Sequence, residues 1–90
     1  MNQITEKDIE YLYKSVLSLD NMQDCKAFFE DVCTINELFA MAQRMTVAKL
    51  LNQGKTFNEV AEQTGASSAT ISRVNKALTY GEGYKAILNK

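Results

Sequence analysis

Ile9, Leu12, Tyr13, Val16 and Leu17 recur at i, i+3, i+4, i+7 and i+8, the spacing of one face of an amphipathic helix. Thr5-Glu6-Lys7-Asp8 stands before them as a capping box with the shorter Asp in place of Glu. The pattern predicts a helix over about 6–19. Asp20-Asn21 breaks it and caps a second helix, about 22–33, whose apolar face is Cys25, Phe28, Phe29 and Val32. Thr34-Ile35-Asn36-Glu37 is a full capping box and opens the longest helix, about 35–53. Its main stripe is Leu38, Met41, Ala42, Met45, Ala48 and Leu51 or Leu50, and Phe39 and Val47 lie off that stripe. A helix with apolar groups on more than one face is either central in its own domain or shared with a partner subunit.

Gly54 stands at the C′ position of this helix, where a left-handed residue is wanted. Thr56-Phe57-Asn58-Glu59 is another T-x-x-E box and opens a short helix, about 57–64. Gly65 turns the chain, and Ser67 or Ser68 caps a fifth helix over about 68–79. Beyond Gly81 and Gly83, Tyr84 to Leu88 has the length of one or two last helical turns. The pattern contains no repeat and no strand. The expectation is an all-α fold of five to six helices in one domain, 1–90.

The run Phe57 to Leu78, FNEVAEQTGASSATISRVNKAL, reads as a helix-turn-helix, about 57–79. Val60, Ala61, Thr64, Gly65, Ala66, Ile71 and Val74 fall where two short helices crossing at a sharp turn need small or apolar residues. Ser67, Ser68, Ala69, Ser72, Arg73 and Lys76 fall on the opposite face of the second helix, the face that this motif places in the major groove. Ser67 and Ser68 hydroxyls and the free N–H groups of the helix start are good phosphate ligands. Ala69 and Ser72 are short enough to let the backbone approach base edges, and Ala69 suits a thymine methyl group. Arg73 and Lys76 have the reach for phosphates or guanine. The bland alternative is that Ser67 only caps the helix while Arg73 and Lys76 form a solvated face.

The formal net charge is −1, which at first argues against DNA. Its distribution argues the other way. Residues 1–37 hold eight acids against Lys7, Lys14 and Lys26, whereas residues 38–90 hold seven bases against Glu59, Glu62 and Glu82. Phosphate binding depends on local charge, not on the total.

Ninety residues with 46% apolar content make one small domain. A chain this short buries a small share of its surface, so it is marginal alone and oligomerisation is a common remedy. With two Cys and no His, the chain lacks the usual four ligands of a structural zinc site. Cys25 and Cys33, about 12 Å apart on one helix at ~1.5 Å per residue, cannot form a disulfide with each other. The absence of His and of a cleft-forming acid pair argues against an enzyme. Met1 to Lys14 mixes acids with bases and has no continuous apolar run, and no stretch of ~18 apolar residues exists. The expectation is a cytoplasmic protein with no membrane partner and no cofactor.

The stretches TINELFAMAQRMTVAKLLNQG, 34–54, and TGASSATISR, 64–73, resemble the Trp repressor family, with similarity over about 32–80. The resemblance implies an all-helical, intertwined homodimer whose subunits share one core and whose helix-turn-helix reads operator DNA. It also implies an effector pocket between the long helix and the recognition helix. The matching positions are Arg44 and Arg73, which would flank the indole of tryptophan, and Thr34 and Thr70. Two positions depart. Val74 stands where the family has a glycine that leaves room for the ligand, and Ala77 stands where a serine hydrogen-bonds it. Added bulk and a lost hydrogen bond each cost on the order of a few kcal/mol. The expectation is therefore a dimeric repressor of a palindromic operator on double-stranded DNA that does not respond to tryptophan, with Val74 packing the recognition helix in place. The alternative from another class is a protein-interaction module that keeps the fold without binding DNA, which the acidic first third allows.

Overall fold

The computed structural model describes residues 3–89. Six helices run in order: α1 (Glu6–Leu17), α2 (Met22–Val32), α3 (Ile35–Asn52), α4 (Phe57–Thr64), α5 (Ser68–Tyr80) and α6 (Gly83–Leu88), with no strand among the described residues. The all-α expectation of five to six helices holds, at six. The chain divides into two compact units at the first turn of α3, between Ile35 and Asn36.

In the first unit, local chemistry sets the helix ends. Asp8 Oδ2 accepts the Thr5 N–H at 2.9 Å, the return half of the capping box. The Asn21 side chain accepts the Asp24 N–H at 2.8 Å and caps α2. Helix α1 stops two residues short of the expected end. Ser18 N–H is shared between the Lys14 and Ser15 carbonyls, Leu19 N–H turns to Val16, and the Ser18 hydroxyl donates to the Ser15 carbonyl at 2.6 Å. Such i→i−3 bonds tighten a last turn and end it. Phe28 and Phe29 meet edge to face at 5.3 Å. Cys25 and Cys33 are free thiols, both half-buried. Neither α1 nor α2 has a buried residue.

The second unit closes a core. Val47, Ala48 and Leu50 of α3, Val60 of α4, Ala66 of the turn, and Ile71 and Val74 of α5 are buried together, with Leu51, Ala61, Tyr84 and Leu88 packed around them. The expected stripe of α3 needs one revision. Val47, read as lying off the stripe, is fully buried at its centre, whereas Ala42 is exposed and Phe39 is 67% exposed. Periodicity finds two apolar faces on such a helix but cannot say which one meets α4 and α5.

Helix α3 ends in a Schellman pattern. Lys55 N–H reaches the Leu50 carbonyl at 3.1 Å and Gly54 N–H reaches Leu51 at 3.0 Å. The Thr56 hydroxyl then accepts the Glu59 N–H at 3.2 Å and starts α4. No helix among the described residues is long and apolar enough to cross a membrane.

Candidate nucleic-acid interface

Gly65 ends α4 with φ 71° and ψ 8°, and its N–H closes on the Ala61 carbonyl at 2.9 Å. That left-handed conformation costs an L-residue with a Cβ about 1–2 kcal/mol, which explains glycine at this position. Thr64 reinforces the bend through its hydroxyl, which donates to the Val60 carbonyl at 2.7 Å and accepts the Ala66 N–H at 3.1 Å. Ala66 is then buried, and the chain enters α5 in the core of the unit.

Ser67 is the N-cap of α5. Its hydroxyl accepts the Thr70 N–H at 3.2 Å and donates to the Thr70 hydroxyl oxygen at 3.1 Å. The capping part of the bland alternative is therefore real: Ser67 is committed to the helix. The hydroxyl of Ser68 and the first amides of α5 remain as donors at an exposed helix start.

Around α5, at about 100° per residue, Ser68, Ala69, Ser72, Arg73 and Lys76 occupy an arc of roughly 140°. All five are exposed. Ile71, Val74 and the half-buried Leu78 lie on the opposite side, and Ile71 and Val74 are each 1% exposed. The structure thus brings the six expected DNA-reading positions, Ser67 included, onto one accessible surface. No acidic residue occurs in α5. Among the described residues, Lys14 pairs with Glu10 and Lys55 with Glu59, while Arg73 and Lys76 form no ion pair and present their charge to solvent.

The expected effector positions are arranged differently. Thr34 belongs to the first unit, and the other five belong to the second. Arg44 is half-buried on α3, Thr70 is held by Ser67, Arg73 lies at the edge of the exposed arc, and Ala77 is exposed. Val74 is inside the core and fills its own site. An apolar recess of about 380 Å³ in this unit is lined by Met45, Ala77, Gly81, Gly83, Tyr84 and Ile87. Of the expected effector positions it includes only Ala77.

One contact has no counterpart among the sequence-based expectations. The Gln43 side chain donates to the Thr64 carbonyl at 3.2 Å and ties α3 to the turn. Its only sequence signal is an amide residue between Ala42 and Arg44, midway along the helix.

Comparison with known proteins agrees with this geometry. The Trp repressor protein family model matches residues 7–90. YerC, an uncharacterized protein of Bacillus subtilis strain 168, is 42% identical over 91 residues, covering 100% of this chain and 88% of that protein. A TrpR-like protein from Eubacterium eligens superposes with a TM-score of 0.89 at 46% identity, covering 99% of this chain and 93% of that one. A candidate Trp repressor from Staphylococcus aureus gives 0.88 at 39% identity over the same shares. The matched span begins in α1 and so extends the likeness beyond the central helix and the turn motif. The chain therefore belongs to the Trp repressor family.

Proposed function

We propose that the protein is a sequence-specific transcription regulator, a repressor acting in the cytoplasm as a homodimer on a palindromic operator, without tryptophan as corepressor. Each chain serves as one domain over 1–90, with α4 and α5 as its helix-turn-helix. The observation that carries this reading is the exposed arc of α5. It combines short side chains, which allow close approach to base edges, with two unpaired cations and no acid. Nothing in the packing of the second unit requires Ser68, Ser72 or Lys76 to be what they are.

Dimerisation is supported by the first unit. Helices α1 and α2 have 12 and 11 residues, a length at which isolated helices are marginal in water. Many of their large apolar residues stay exposed within the chain, among them Ile9, Leu12, Leu17, Met22 and Val32. A second copy would cover that face. Two recognition helices would then address half-sites about one DNA turn apart, ~34 Å.

Selection of bound duplexes from a random pool, followed by sequencing, tests the reading, and a palindromic consensus is expected. Arg73→Ala with Lys76→Ala removes four cations from a dimer and should flatten the log–log salt dependence by up to roughly 4 units. A pool from which nothing is enriched, or a double variant that binds as the parent does, would sink the proposal. Either result would favour the protein-interaction module, with the acidic α1 and α2 as its contact surface. Titration with L-tryptophan should give no saturable heat, because Val74 occupies the core and Ala77 offers no hydroxyl.

A further inference from the structure

We infer that Gln43 is a positioning residue of the DNA interface: its side-chain amide sets the place of the turn from which α5 starts. The inference rests on the DNA-binding reading above and goes beyond it to a residue that touches no DNA. The Thr64 carbonyl lies in the last turn of α4, where helix geometry leaves carbonyls without an i+4 donor. Gln43 Nε2 supplies the donor at 3.2 Å from a position 21 residues earlier, in a part-buried setting. The same residue, Thr64, also holds the bend through its hydroxyl bonds to the Val60 carbonyl and the Ala66 N–H. One residue of the turn is therefore fixed from three directions, and among the described residues only the Gln43 bond comes from outside the motif. Ala66 and Ser67 come directly after it, so a shift at Thr64 moves the capped start of α5, where Ser68 and Ala69 stand.

Apolar packing of Val47, Ile71 and Val74 holds α5 against α3, but packing is non-directional. A hydrogen bond to one carbonyl adds registry. The contact is thus expected to affect discrimination between duplexes more than the existence of the fold.

Gln43→Met keeps an unbranched side chain of similar length and removes the donor. Gln43→Lys keeps a donor, and its added charge raises affinity for all duplexes alike. The quantity to measure is the ratio of affinities for the duplex recovered by selection and for a random duplex of equal length. That ratio should fall about tenfold in Gln43→Met and return to within about threefold of the parent in Gln43→Lys; tenfold corresponds to about 1.4 kcal/mol of discrimination. Amide hydrogen exchange on the free protein supplies the second readout. The amides of Gly65 and Ala66 should exchange faster in Gln43→Met, while those of Val60 and Ile71 stay as they are.

Unchanged exchange at the turn would overturn the inference whatever the DNA result. Faster exchange with an unchanged affinity ratio would also overturn it, since the contact would then be merely structural. If the parent protein prefers no duplex at all, the DNA-binding reading itself falls. The inference falls with it, and exchange then shows only whether Gln43 holds the turn.

Discussion

Asn21 caps α2 in the same manner that Ser67 caps α5: a side-chain oxygen accepts the N–H three residues on, at 2.8 and 3.2 Å. The two capped helices then part ways. Helix α5 sends Ile71 and Val74 into a core shared with α3 and α4, whereas α2 and its neighbour α1 have no buried residue. The caps and periodicity of α1 and α2 specify helices as clearly as those of α4 and α5 do. Local signals therefore decide that a segment is helical, and burial decides whether it can stand without a partner.

The largest effect that tests this contrast is in the second unit. Ile71→Ala should cost about 2–5 kcal/mol in urea unfolding, the usual range for emptying a fully buried aliphatic site. If the exposed face of α1 is covered by a second copy, Leu12→Ala should cost about 2 kcal/mol at high protein concentration, for roughly three buried carbon groups. That cost should vanish on dilution, as sedimentation equilibrium follows the mass from twice 10.1 kDa towards one chain. A concentration-independent mass of one chain would erase the proposed difference between the units.

Next comes Gly65→Ala. Nothing lies within 4 Å of an added Cβ, so the expected loss is conformational, about 1–2 kcal/mol, and readable as a lower thermal midpoint. The smallest effect sharpens the comparison most. Asn21→Ala and Ser67→Ala each remove one cap and should each cost about 1 kcal/mol. Helical circular dichroism at low concentration should register the Asn21 loss as fraying of α2, while α5 stays formed because its core remains. Equal fraying in both would mean that the core of the second unit does not hold α5.

Much of the fold is legible in the order of residues alone. The starts of α1, α2, α4 and α5 follow Thr5, Asn21, Thr56 and Ser67 because capping is a contact between residues three apart. The ends are less legible. Helix α1 closes early through Ser18, a polar residue that also suits a helix surface, and α5 runs on to Tyr80. The core-facing side of α3 is legible only in part: Ala48 and the Leu50–Leu51 pair stand on the expected stripe, but Val47 lies off it, because its place depends on where α4 and α5 dock. The site obeys the same division. The arc of α5 comes from helical spacing within one segment. The Gln43 bond to Thr64 joins segments 21 positions apart and has no local signature.

The separation of faces on α5 has a consequence for how relatives of this protein diverge. Ser68, Ala69, Ser72 and Lys76 are exposed and lie outside the core, so exchanges there usually change stability by about half a kcal/mol or less. Such positions are free to drift or to be rewritten without refolding the scaffold. Libraries confined to these four residues should therefore yield mostly folded proteins, a practical starting point for retargeting.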